Sequence, residues 1–150
     1  MDVVIQNRQH RFKLPDKKIL AAAGTILEAL GYPEAQLSIV IVDDDQIAEL
    51  NATYLDHAGP TNVISFPMQE GEFVDVTPTL LGDVVISADT AHREALGAGM
   101  GMQERLYELL IHGILHLVGY DHVNSQAEAM AMERKSEALM ALIGRKDQAS

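Results

Sequence analysis

Apolar and polar positions alternate along this chain in two rhythms. Val3-Val4-Ile5 predicts a short opening strand, and Arg8 to Lys13 are expected to continue it or to pair with it after a turn. Pro15 and Asp16 then open a helix, because Ile19, Leu20, Ala23, Ile26, Leu27 and Leu30 recur at helical spacing before Gly31 stops it. Leu37 to Val42 predicts a strand with Ile39 and Ile41 on one side and Val40 and Val42 on the other. Apolar residues on both sides place that strand in the middle of a sheet. Asp43-Asp44-Asp45 has the look of a metal cluster, but three acids before Ile47, Leu50 and Tyr54 suit the positive end of a helix better. Asp56 to Pro60 reads as a loop with His57 in solvent. Val63 to Phe66, ended by Pro67, reads as a strand. Met68 to Thr79 is polar and acidic and reads as an exposed loop.

Leu80 to Ser87 predicts a further strand, in which Gly82 marks a bulge or a close backbone approach. Asp83 beside it either orients a ligand or ends a turn. Ala88 to Leu96 is a short helix with His92 on its surface, and Gly97 to Gly101 is a connection. Met102 to Val118 is a longer helix. From Leu109 onward it is apolar nearly all round except at its histidines, which places it inside the domain. Ser125 to Ile143 predicts a last amphipathic helix with Met130, Ala131, Leu139 and Leu142 facing the core and Glu133 and Glu137 on its solvated face, from which one of the two can approach the metal site. Gly144 to Ser150 is expected to fray.

The chemistry concentrates in His112-Gly-Ile-Leu-His116-Leu-Val-Gly119-Tyr-Asp-His122, which holds three of the six histidines. On a helix His112 and His116 share one face, one turn apart. Gly119 stands where a helix often ends in a left-handed residue, so the chain can return His122 to the same point. Three neutral imidazoles with a fourth position open is the donor set of a catalytic zinc site. The spacing is also that of the metzincin proteases, which place Glu after the first histidine as general base. Here that residue is Gly113, so the metal cage is expected and the protease base is not. Glu108, one turn before His112, is either a partner for a histidine or an exposed residue of the helix's first turns; exposure is the simpler expectation.

Composition narrows the picture. A chain of 150 residues with 47% hydrophobic content suits one globular domain, residues 1–150. No run of eighteen apolar residues is present, and the first residues do not read as a signal peptide. The chain has no cysteine, so a metal must be held by histidines and carboxylates. Together these features suit the cytoplasm. The formal charge of -11 disfavours nonspecific binding to nucleic acid or anionic membrane. It leaves room for a nuclease whose substrate a larger partner delivers.

Three segments in this order and spacing resemble the bacterial YbeY family, the ribosomal RNA maturation endoribonucleases. They are Pro60-Thr-Asn-Val-Ile-Ser-Phe-Pro67, Leu81-Gly-Asp-Val-Val-Ile86 and the histidine segment 112–122. The resemblance covers essentially the whole chain. It implies an α+β fold with a mixed, mostly parallel four-stranded sheet packed on the motif helix and a zincin-like metal site. It implies one zinc ion per chain held by His112, His116 and His122, which act in catalysis through the metal. It further implies cleavage of single-stranded RNA, maturation of the small-subunit ribosomal RNA 3′ end, and ribosome quality control. The implied partners are ribosomal RNA, the small ribosomal subunit and ribosome-associated assembly proteins.

One position departs from the family. The arginine that follows Tyr in many members is Leu55 here, and no Lys or Arg lies between Lys18 and Arg93. A natural phosphate contact is therefore missing. No general base is evident either, since Gly113 supplies none and sequence does not fix the direction of Asp121. Two rival readings stay open. One is a ribosome-assembly binding factor with structural zinc, favoured by the acidic charge and Leu55. The other is a metallopeptidase, opposed by Gly113.

Overall fold

A computed structural model of the chain describes residues 2–68, 80–120 and 125–149. The elements run β1 (Asp2–Asn7), α1 (Asp16–Ala29), β2 (Gln36–Val42), α2 (Asp44–Leu55), β3 (Val63–Pro67), β4 (Leu80–Ser87), α3 (Ala88–Ala98), α4 (Met102–Leu117) and α5 (Gln126–Ala149). The strands form one sheet in the order β1-β2-β4-β3. β1 and β4 flank β2 in parallel, and β3 joins the edge antiparallel to β4. The architecture is the expected mixed, mostly parallel sheet in an α+β fold.

The alternation in β2 decides the layers. Leu37, Ile39 and Ile41 are buried in the main core with α1 and α4, while Val42 packs on the opposite face with Ile47 of α2, Ile64 and Val85. The three aspartates do what helix N-termini require. Asp43 accepts from the Gln46 backbone N–H at 2.8 Å while the Gln46 side chain accepts from the Asp43 N–H at 3.1 Å. Asp44 binds across to α3: its carboxylate accepts from Ser87, Thr90 and Arg93. Burial alone would raise its pKa, but those hydrogen bonds and the Arg93 charge outweigh burial and hold it below the ordinary carboxylate value.

Helix α4 is the hub, touching α1, α3, α5, β3 and β4. Its Leu109, Leu110, Ile111, Ile114 and Leu115 are at most 1% exposed. At about 25 cal/mol per Å2 of apolar surface, each such side chain contributes roughly 1.5–3 kcal/mol before entropy is counted. Among the described residues, no helix is long and apolar enough to cross a membrane.

Several expectations need correction. Residues 8–13 form no strand. Arg8 donates to the Ile41 carbonyl at 2.8 Å, but then the buried Gln9 amide closes a loop, donating to the Phe12 carbonyl and accepting from the Phe12 N–H, both at 2.8 Å. A side chain has replaced the ladder. His92 is half-buried, its ring 4.8 Å from that of Phe12, rather than on the surface. In α5 the core stripe is Met132, Leu139, Met140 and Ile143. Met130 and Ala131 are exposed and Leu142 is only half-buried. A helix rich in Met and Ala offers more than one apolar stripe, and contact with α1 and α4 chooses among them. Residues 144–149 continue the helix, where the Tyr107 hydroxyl donates to Asp147 at 3.0 Å. Burial, with Asp147 second, pushes that phenol up to about 12. The loop expected after Met68 lies outside the described residues.

Candidate functional site

The site is built on the second half of α4, and Gly113 explains how that helix sits so close to the sheet. A Cβ at this position would stand 2.5 Å from Val84 Cγ1 and 3.1 Å from Val84 Cγ2. The helix backbone therefore lies directly on β4. The Ser65 hydroxyl of β3 donates to the Gly113 carbonyl at 2.8 Å and fastens the helix to the sheet edge. A glutamate at 113 would have to occupy the space of a fully buried valine. The protease base is absent because the packing leaves no place for it.

His112 and His116 stand one helical turn apart on α4 and border two different hollows. His112 is half-buried and lines a hollow between α4 and α5 with Glu108, Met132, Glu133 and Met140. Burial pushes its imidazole below the ordinary value; Arg105 acts in the same direction, Glu108 opposes, and His116 adds to the lowering. A neutral ring keeps a lone pair for a metal. His116 is exposed and opens on a second hollow of about 360 Å3, lined by Leu55, Val63, Ile64, Ser65 and Pro67.

The helix ends as the sequence requires. Gly119 has φ +107°, its N–H bonds the His116 carbonyl at 3.2 Å, and the Tyr120 N–H bonds the Leu115 carbonyl at 2.9 Å. These are the two hydrogen bonds of a Schellman stop, and they turn the chain immediately after His116. His122 and Asp121 lie outside the described residues, and no group of three metal-ligating side chains gathers among the residues that are described. What is described fits zinc: two imidazoles one helical turn apart in a chain without thiolates.

The structure sorts the remaining candidates. Leu55 is 45% exposed at the end of α2 and borders the His116 hollow, so this position faces the groove. His57 is exposed in its loop and belongs to neither hollow. Asp83 sits in mid-strand opposite Ser38 and Phe66, so it ends no turn, and it lines a hollow on the other face of the sheet. Glu108 is half-buried rather than exposed and accepts from Arg105 at 2.7 Å. Arg105 also donates to Glu94 at 3.0 Å, and Asn62 donates to the same carboxylate at 3.2 Å. This chain of contacts ties the entry to β3 to α3 and α4. Neither it nor the Ser65 clasp was read from the sequence. The available signal was a lone serine between Ile64 and Phe66, in a strand too apolar to carry a hydroxyl without a partner.

With the geometry in hand, comparison with known proteins is direct. The family profile described as Endoribonuclease YbeY matches residues 4–144. A protein named endoribonuclease YbeY from Geobacter sulfurreducens is 51% identical over 144 residues, covering 95% of this chain and 96% of its own. One of the same name from Aquifex aeolicus is 48% identical over 110 residues, covering 73% and 71%. The solution structure of a Thermotoga maritima protein shares the fold, with a TM-score of 0.67 at 20% identity over 98% of this chain and 92% of that one. The matched span runs from β1 into α5 and includes the whole histidine segment, and on that ground the chain belongs to the endoribonuclease YbeY family.

Proposed function

We propose that this chain is a zinc-dependent endoribonuclease that cuts single-stranded RNA, acting in the cytoplasm on the 3′ end of small-subunit ribosomal RNA and in ribosome quality control. The observation that carries the reading, beside family membership, is His116 exposed in a groove along the sheet edge while His112 lies one turn back on the same helix. His112, His116 and His122 would hold the ion. When bound, zinc supplies Lewis acidity for phosphodiester hydrolysis. The chain's own part is positioning. The buried face of α4 and the Ser65 clasp keep the helix that carries the two rings in place.

A binding factor with structural zinc is the second reading, favoured by Leu55 and by the absence of any Arg or Lys among the described residues that line the His116 groove. An exposed ligand on an open groove opposes it, because structural zinc sites are closed. The metallopeptidase reading has lost its base to the packing at Gly113.

Elemental analysis and a cleavage assay on fluorescent single-stranded RNA separate these readings. Purified protein should carry close to one zinc per chain and cut the strand. His116→Ala should lose both properties. Stoichiometric zinc in that variant would refute the ligand assignment. Zinc-loaded protein that binds the small subunit and cuts nothing would leave the binding factor. Chelator-sensitive casein cleavage, lost in His112→Ala, would restore the peptidase.

A further inference from the structure

The free edge of β3 runs along the His116 groove, and its hydrogen-bonding groups can be assigned. Ser87 N–H bonds the Asn62 carbonyl at 2.9 Å, and Met68 N–H bonds the Leu81 carbonyl at 3.1 Å. In an antiparallel pair, residues that exchange both bonds with the partner alternate with residues whose N–H and C=O point away from it. With Val63 opposite Ile86 and Ser65 opposite Val84, the bonded positions are 62, 64, 66 and 68. The N–H and C=O groups of Val63 and Ser65, and the C=O of Pro67, therefore point outward. β3 is the last strand of the sheet, so among the described residues no neighbouring strand covers that side.

Each of Val63 and Ser65 thus presents one donor and one acceptor side by side, beside the exposed apolar side chain of Leu55. We propose that this edge is a nucleobase subsite: an unpaired base next to the scissile phosphate bonds the backbone of Val63 or Ser65 through its Watson–Crick edge and rests on Leu55. The proposal rests on the endoribonuclease reading and deepens it. Every RNA base carries an adjacent donor and acceptor on that edge, so the contact tolerates any sequence. A paired base has already spent the same groups, so a duplex is refused at the subsite, whereas single strands present them. Backbone groups and an apolar wall also suit a groove whose described lining holds no Lys or Arg. A base can dock there without the phosphate contact that position 55 has given up.

Amide hydrogen exchange on the zinc-loaded protein tests this, with a short oligouridine in which a methylene group replaces the bridging oxygen of each phosphate as a strand that cannot be hydrolysed there. In free protein the Val63 and Ser65 amides should exchange fast and those of Ile64 and Phe66 slowly. The strand should slow Val63 and Ser65 specifically. An oligomer of N3-methyluridine, which lacks the base donor, should bind at least about fivefold more weakly. Val63→Pro deletes one outward N–H at a position where an edge strand tolerates proline, and should reproduce that loss. The subsite is overturned if a bound strand leaves both amides unchanged or if methylated and unmethylated strands bind equally. It is equally overturned if an extended peptide protects the two amides and the strand does not. Cleavage of unmodified oligouridine, run in parallel, separates the two levels. Cutting with unchanged amides removes the subsite alone, while a strand neither cut nor bound removes the endoribonuclease reading with it.

Discussion

Gly113→Ala is the sharpest probe of how this site is assembled. In an exposed helix the change is favourable by about 1 kcal/mol, because alanine loses less backbone freedom. Here the new methyl would meet Val84 Cγ1 at 2.5 Å, where carbon atoms prefer about 3.5–4.0 Å. Val84 is fully buried, β-branched and held in a strand paired on both sides, so it cannot swing away. The helix must lift instead, which strains the Ser65–Gly113 hydrogen bond, worth about 1 kcal/mol. Overpacking costs about 1–3 kcal/mol. Adding the hydrogen bond and subtracting the propensity gain leaves a destabilisation of roughly 1–3 kcal/mol. For a domain of this size that lowers Tm by about 2–12 °C. Gly144→Ala is the matched control: that glycine is helical and exposed, and a Cβ there meets nothing within 4 Å. Calorimetry should show Gly144→Ala melting at or above wild type and Gly113→Ala clearly below it. Combining Gly113→Ala with Val84→Ala should cost less than the sum of the two single changes, since each makes room for the other. If Gly113→Ala melts at or above wild type, α4 does not lie against β4 as described. The account of why a protease base is missing would then fall as well.

Two further outcomes follow from particular contacts. Leu55→Arg should speed cleavage of single-stranded RNA by about ten- to more than a hundredfold, the worth of one charge-assisted phosphate contact, with the gain shrinking as salt is raised. Leu55 is exposed, so the melt should stay within about 0.5 kcal/mol of wild type, and a folded, zinc-loaded variant with no gain would show that the substrate phosphate does not pass position 55. Asp44 has its carboxyl held below the ordinary value by Ser87, Thr90 and Arg93 against the opposing effect of burial. Its stabilisation is present above the unfolded carboxylate pKa and is lost as pH falls through the lower folded value. Asp44→Asn should thus melt below wild type at neutral pH with the gap closing in acid, and a gap that is constant with pH would mean the charge contributes nothing.

Features that rest on neighbours a few residues apart were legible in the chain alone. Alternation of apolar residues gave β2 and β4, the acids before Ile47 gave a capped α2, and Gly119 gave the stop of α4, because each rests on neighbours within a few residues. Four-residue spacing put His112 and His116 on one face for the same reason. Contacts between distant segments were not legible. The Gln9 side chain closes a loop that composition read as strand, because an amide that mimics the backbone leaves no periodic trace. The face of α5 was set by contact with α1 and α4, as several stripes of Met and Ala were equally apolar. Tertiary structure alone decided why residue 113 is glycine. Nothing in the run His-Gly-Ile-Leu-His says that Val84, twenty-nine positions earlier, fills the space a side chain would need. The outward edge of β3 was equally hidden, because which backbone groups of a strand go unpaired depends on its place at the end of the sheet and on its register with β4.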